Sequence, residues 1–513
     1  MMPRWLRRWP AVLPPVLLLL FVVLPFVQLF VQGAGGLSWA FIADPYYRWR
    51  LWWSLLQALA TCALSLCFGL PAAWALARYE FAGRALLLRL LMLPFVMPTL
   101  VAAIGVLTLF GPQGVSGIHL QDTPWLLLYG NLFYNLPLLV RAAIDGFSHV
   151  PQSRLFAART LGASPWRLFW RVELPGALPW IASALCLIFL YCFTGFGLAL
   201  LLGGQRYATV EVEIYSLVAY ELDLANAGAL ALLTLCLTAT AAIGYAWLER
   251  RLAQSARGAV CPRQPVDGVR ARLMLGASLA LIALFCLAPL VAIAVRAAAA
   301  GPAWDVLTEA DTWLALGNSA RFTLLALVGA CVFGLAHGFF LRGGALPRAL
   351  AFLPYAVSPV CVAFGLLLAY PSLAANLVML LGAYVLLAYP FVARSLGASL
   401  DSLPPHLPQA ARTLGATPLR TGVRVVWPHV APALRRGMAF AAATALGEFA
   451  VTLFLSRPEW STLTTLIYQR LGRAGADNLD AALVLSCVLM ALSMLAFVVI
   501  EWPQGRRDHA GSE

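Results

Sequence analysis

Glu448 lies in the string Ala445-Leu446-Gly447-Glu448-Phe449, a carboxylate within an otherwise apolar stretch. An acid at membrane depth is costly unless it faces a cavity or finds partners. Two roles stay open for it: a pathway group, or a hydrogen-bonding group for a helix break beside Gly447. In another apolar stretch Tyr191, Phe193 and Phe196 flank Thr194-Gly195. Aromatic faces can hold an organic cation and stack on flat rings, although the same residues also pack cores. With Glu448 and Phe449 they make the candidate set for lining any pathway that such apolar stretches enclose. His337, Asn131, Asn135 and Asn376 are further polar residues inside apolar stretches, with no face assigned by the sequence.

What is missing also bears on chemistry. All 35 basic residues are arginine, and there is no lysine. A Walker A phosphate loop and a Schiff-base enzyme both require that amine, so this chain is expected to carry no nucleotide-hydrolysing site of its own. No catalytic group and no metal set is read from it. The ten cysteines show no CxxC or Cys/His spacing and read as small buried side chains.

The elements that position these residues follow from composition. Of 513 residues, 62% are hydrophobic and 11% charged, against roughly 45–50% and about 25% in soluble domains. A soluble enzyme, a disordered chain and a disulfide scaffold are poor fits. Apolar stretches of about 20 residues cross a hydrocarbon core. We place about 12 at 11–32, 52–77, 87–110, 124–145, 177–200, 226–248, 273–296, 318–341, 349–370, 373–393, 433–455 and 479–500. The first reads as an uncleaved anchor. With the N-terminus inside, 27 arginines fall on cytoplasmic segments, six on exterior loops and two at span ends. That asymmetry orients the chain with both termini cytoplasmic, and it favours membrane orientation over nucleic-acid binding as the meaning of the +13 net charge.

The chain is internally duplicated. Residues 157–179, AARTLGASPWRLFWRVELPGALP, match 410–432, AARTLGATPLRTGVRVVWPHVAP, at 13 of 23 positions with a constant offset of 253. The offset also pairs Pro137 with Pro390, Arg141 with Arg394, Thr209 with Thr462 and Tyr215 with Tyr468. The expected domains are a first repeat at 1–248, a linker at 249–272 and a second repeat at 273–513, parallel rather than inverted. The duplicated segment lies in the longest cytoplasmic loop of each half, 146–176 and 394–432. Gly162 and Gly415 can close a helix in the left-handed conformation. Ser164-Pro165 and Thr417-Pro418 then supply an N-cap and a first-turn proline. Arg167 and Arg171 share one face, as do Arg420 and Arg424. Trp166, Phe169 and Trp170 are expected at the membrane interface. An amphipathic helix resting on anionic lipid would explain the pattern, but two copies kept this alike favour docking to a two-fold symmetric partner.

At these residues the sequence resembles the integral-membrane subunits of binding-protein-dependent ABC importers. Their loop signature is matched by Ala157-Ala158, Gly162 and Leu174-Pro175, and by Ala410-Ala411, Gly415 and Pro428. Trp427 replaces its leucine in the second copy. The leading glutamate of the signature is absent, replaced by Phe156 and Gln409. The resemblance implies an all-α polytopic fold of the type I importer class. It also implies that Ala157, Ala158, Arg159, Gly162, Pro165 and Pro175, with Ala410, Ala411, Arg412, Gly415, Pro418 and Pro428, couple to two copies of a separate cytoplasmic ATPase. ATP and Mg would be held by that ATPase, and a periplasmic binding protein would deliver a small molecule across the bacterial inner membrane. Fused permeases of this size resemble subfamilies for thiamine and for ferric iron. The run Leu201-Leu202-Gly203-Gly204 through Thr209, Glu211 and Ile214-Tyr215 is similar to the thiamine group. The scarcity of carboxylates within spans favours an organic cation over a metal ion. A third reading, an ion-gradient-driven carrier, would need pathway acids beyond Glu448.

Overall fold

The computed structural model describes residues 9–36, 41, 43–252, 263–340, 354, 357–373, 376–455 and 457–501. Within them almost every element is helical, and the two strands are two-residue pieces. Among the described residues nine helices are long and apolar enough to cross a membrane, and ten if one bent pair counts as a span. Ten of the twelve expected segments meet these helices, one of them as the bent pair, and the ninth and eleventh do not. The third, 87–110, is not one rod: Arg84–Val96 and Thr99–Phe110 meet at 101°, because Pro98 removes a backbone donor and restricts the residue before it. The fifth begins earlier than expected and then breaks; the eleventh does the same, but its helix, Trp427–Leu446, carries Arg435 and Arg436 and is not among the nine. The ninth is represented by Pro359–Ala369, its beginning lying outside the described residues. Arg4, Arg7, Arg8, Arg342, Arg348, Arg506, Arg507 and the linker's residues 253–262 also lie outside them.

The chain packs as two compact units, and they do not coincide with the duplicated halves. One unit is Gly33–Phe95 with Thr99–Ala299; the other is Met1–Gln32 with Val96–Pro98 and Ala300–Glu513. The expected boundaries at 248 and 273 follow the duplication, whereas by packing Met1–Gln32 groups with Ala300–Glu513 and the segments between Val269 and Ala298 group with Gly33–Phe95.

In the first unit, Pro45–Arg78 and Pro124–Ser148 pack along their lengths, joined by Leu174–Phe193 and the segments between Val269 and Ala298. The core is built from Ala58, Leu76, Leu136, Val140, Ile144, Ile181, Ile188 and Cys286, all nearly inaccessible. Small residues let helices touch, as membrane packing requires when no water drives association. A Cβ on Gly33 would lie 2.5 Å from the Gly228 carbonyl carbon. Tyr79-Glu80 pairs in parallel with Gln264-Pro265, and Arg263 binds Glu80 at 2.8 Å, so the end of the linker is fastened to the end of the Pro45–Arg78 helix.

In the second unit, Ala310–Phe340, Leu377–Ser402 and Trp427–Leu446 form the core, with Ala476–Glu501 beside the last of these. Gly329, Gly334 and Gly338 leave room for Val385, Val392 and Leu396. The N-terminal segment packs here through Leu17, Leu18 and Val22. Phe21 occupies the space over Gly382, and the Tyr370 hydroxyl donates to the Leu20 carbonyl at 3.0 Å.

Candidate functional site: paired loops and helix breaks

The duplicated segments fold as the local chemistry requires, and they fold alike. Helices Gln152–Thr160 and His406–Thr413 end at Gly162 and Gly415, with φ of 76° and 81°. Gly162 N–H donates to the Arg159 carbonyl and Ala163 N–H to that of Ala158, both at 3.0 Å; Gly415 and Ala416 repeat these bonds to Arg412 and Ala411 at 3.0 Å. This is the paired bonding that satisfies the last carbonyls of a helix closed by a left-handed residue. The Ser164 and Thr417 hydroxyls then accept from the backbone N–H groups of Arg167 and Arg420 at 3.4 and 3.3 Å.

Beyond these caps the structure departs from the expectation of a loop and a separate span. From Pro165 the helix runs on to Phe193, and from Pro418 to Leu446. Each passes through a widened π turn, Phe169–Glu173 and Gly422–Val426. Leu174 N–H reaches the Phe169 carbonyl and Trp427 N–H that of Gly422, five residues back. The widening sits just before Pro175 and Pro428, whose missing donors would otherwise interrupt the helix.

All twelve expected coupling residues lie on the surface or partly so: Ala157, Arg159, Gly162, Pro165, Pro175 and their partners Ala410, Arg412, Gly415, Pro418 and Pro428 are exposed, and Ala158 and Ala411 are half-buried. Between them stand Leu161 and Leu414, each 87% exposed. Neither leucine draws notice in the sequence except as one more identity within the repeat. Trp166 and Trp170 are exposed, as an interfacial placement would require. Phe169 departs from that expectation: its ring faces inward, 6.3 Å from Trp74 and 6.2 Å from Phe147. The first loop is also anchored by charge. Glu173 accepts from Trp74 Nε1 at 2.6 Å and pairs with Arg78 at 3.4 Å, whereas Val426 holds the equivalent place in the second loop.

At the far end, both rods break at the same repeat position. In the first, Phe193 is the last helical residue, Thr194 and its hydroxyl bond the Leu190 carbonyl, and a short helix Gly197–Leu202 comes next. In the second, Leu446 is last and Ala450–Leu455 comes next. Glu448 is buried in this break, and its carboxylate accepts from Val451 N–H at 2.9 Å, capping the short helix. This is the bonding that a helix break beside Gly447 calls for.

The aromatic candidates separate. Phe193 is fully buried in the first unit's core, stacked on Phe189 at 5.8 Å. Phe196 lies against Tyr215 at 5.4 Å, and Phe449 against Tyr468 at 5.2 Å. These are the same pair at the repeat offset, fixing each short helix to the next one. Tyr191 is half-buried beside Phe95 at 5.8 Å, and Phe95 meets Tyr134 at 5.5 Å. Phe95 and Tyr134 are unremarked in the sequence because nothing local links them to Tyr191. Of the other polar candidates, Asn131, Asn135 and His337 are buried, and Asn376 caps Leu377–Ser402 by accepting from Val378 N–H. Among the described residues no group of three or more His, Cys, Asp or Glu side chains converges.

The span ends remote from the loops carry a second set of paired ties. Ser54 Oγ accepts from Val210 N–H at 2.8 Å and Ser319 Oγ from Leu463 N–H at 2.9 Å. Trp53 Nε1 donates to the Tyr207 carbonyl, and Asn318 Nδ2 to those of Glu459 and Ser461. In the first unit Arg50 is buried against Glu213 at 3.2 Å, with the Tyr46 hydroxyl donating to the same carboxylate at 2.9 Å. Arg470 pairs with Glu309 in the second.

The family model for the inner membrane component of binding-protein-dependent transport systems matches residues 65–254 and again 325–506. The chain belongs to this family and carries two copies of its unit in one multi-pass polypeptide. The thiamine transport system permease protein ThiP of Escherichia coli K12 is 28% identical to it, over 99% of this chain and 98% of its own length. ThiP of Haemophilus influenzae is 28% identical over 93% and 94%. The sulfate transport system permease protein CysW of Synechocystis is 34% identical, over 31% of this chain and 60% of its own length.

Proposed function

We propose that this chain forms the inner-membrane pathway for thiamine or its phosphates and is driven by a separate cytoplasmic ATPase that docks on its two loops. The observation that carries the coupling reading is the pair of loops, alike in cap, π turn and exposure at a constant offset of 253. A lipid-resting helix needs only amphipathicity, whereas an exposed leucine at the same tip position in both copies suits two identical sockets. The apolar tip would enter a pocket on the ATPase, and Arg159 and Arg412 would flank it. Each rod of roughly 40 Å would carry the resulting displacement towards its break. Both termini are then cytoplasmic, as the arginine distribution requires. A periplasmic binding protein would present the cargo at the opposite face.

The cargo assignment rests on relatives that match across nearly the whole chain, together with chemistry. Thiamine joins a thiazolium cation to a flat aminopyrimidine. The half-buried rings of Tyr191, Phe95 and Tyr134 offer faces for such a cation. The test is reconstitution with the cognate ATPase and binding protein in proteoliposomes. ATP-dependent uptake of labelled thiamine, with ferric complexes left outside, is the expected result. Uptake of ferric iron instead would overturn the cargo, and uptake by this chain alone under an ion gradient would overturn the coupling.

A further inference from the structure

We infer that Gln57 in the first repeat, and Tyr384 with Thr464 in the second, are positioning residues: each set latches a buried backbone carbonyl at its rod's break and so passes loop movement into the bundle. This rests on the transport reading above. A helix that stops leaves backbone carbonyls without intrahelical donors, and a buried one must find a donor elsewhere. At the first break Gln57 Nε2 donates to the Cys192 carbonyl at 2.8 Å, across 135 residues of chain. Gln57 Oε1 accepts in turn from Asn131 Nδ2 at 2.7 Å, and the Asn131 carbonyl accepts from Asn135 Nδ2 at 3.0 Å. The break is thereby joined to Pro45–Arg78 and to Pro124–Ser148 through side chains that are all buried.

The second break is held by different chemistry and three repeat positions further on, at a carbonyl that follows the helix end at Leu446 rather than one within its last turn. The Glu448 carbonyl accepts from Thr464 Oγ1 at 3.1 Å and from the Tyr384 hydroxyl at 3.4 Å, and Tyr384 Oη also bonds Thr452 Oγ1 at 2.6 Å. Tyr384 stands at the repeat position of Asn131. Phe322, three residues after Ser319 as Gln57 is three after Ser54, takes the place of Gln57, and its ring meets Tyr384 at 6.4 Å. An amide ladder in one repeat and a hydroxyl set in the other therefore do one job.

The mechanical consequence comes from where the latches sit. A rod pushed at its loop can bend at a free break, and the motion is then lost locally. With the break carbonyl fastened, the neighbouring helices must move with it. In the first repeat the rod is fastened at its π turn, to Trp74 and Arg78 through Glu173, and near its break, to Gln57 through Cys192. Neither Gln57 nor Tyr384 is reached by the loop surface, so the role is one of position rather than contact with ATPase.

The test uses the complete transporter in proteoliposomes, with Gln57→Leu, Tyr384→Phe/Thr464→Val, and an outward-facing control, Leu59→Met. ATP hydrolysed per solute taken up is expected to rise several-fold in the latch variants, with hydrolysis itself retained, and to stay at the wild-type value in the control. Hydrogen exchange of the permease alone reads the latch without any cargo. Amides following Cys192 in Gln57→Leu, and following Glu448 in the double variant, should exchange several-fold faster. Uptake and hydrolysis falling together, or exchange unchanged at the breaks, would overturn the latch. Absence of thiamine uptake by the wild type would overturn the cargo and leave the exchange result to judge the latch.

Discussion

The left-handed glycines at the two loop tips give the sharpest expectation. A Cβ built on Gly162 or Gly415 meets no atom within 4 Å, so substitution brings no clash. The cost comes from the backbone alone: holding a residue with a Cβ at φ near 76° or 81° is unfavourable by about 1–2 kcal/mol. That corresponds to roughly a 5- to 30-fold loss of the correctly closed loop for Gly162→Ala or Gly415→Ala. The loops lie in separate packing units, so the two effects should multiply. Affinity of the cognate ATPase for the full permease in nanodiscs is the measurement, with the melting midpoint of the permease as control. Asparagine separates causes, because it enters the left-handed region more readily than alanine yet is larger. If strain governs, Gly162→Asn binds better than Gly162→Ala. The reverse order would show that bulk at the interface, not backbone conformation, sets the effect. Wild-type affinity in the double alanine variant would refute docking through these loops.

Glu173→Val should make the first loop resemble the second, which carries Val426 there. Losing the Trp74 bond and the Arg78 pair is expected to cost about 1–2 kcal/mol, read as weaker ATPase affinity that Val426→Glu does not reciprocate. Arg50→Met leaves Glu213 buried without its cation and should destabilise the permease by about 3–5 kcal/mol. Arg50→Met/Glu213→Leu should recover most of that in a thermal aggregation assay, and no recovery would show that the ion pair is not what matters. Glu448→Gln keeps an oxygen that can accept from Val451 N–H, so uptake should survive, whereas Glu448→Leu should lose it. Loss in both would return Glu448 to the pathway as a charge.

Much of the duplicated loop is legible because its determinants are neighbours in sequence. Gly162 followed by Ser164-Pro165 states where one helix closes and the next opens, and the repeat of that pattern at Gly415 and Thr417-Pro418 doubles the signal. The breaks are less legible. Thr194-Gly195 and Gly447-Glu448 mark them, but nothing local says that Gln57 or Thr464 will supply the donor. Tyr191, Phe193 and Phe196 look alike in sequence, yet one is half-buried beside Phe95, one is core and one supports the short helix. A ring at the end of a membrane helix has the same composition whichever neighbour it meets.

By itself, then, the sequence settled the membrane setting, the duplication and the local form of the loops. Each depends on composition, on periodicity or on residues within a turn of one another, and such interactions form wherever the chain goes. Tertiary structure alone decided which repeat keeps which first span, how rod and loop become one helix anchored on Glu173, and which buried donors meet the broken carbonyls. Those outcomes depend on groups far apart along the chain. They exist only after apolar faces have chosen partners, and burial then leaves each polar atom no water to bind in their place.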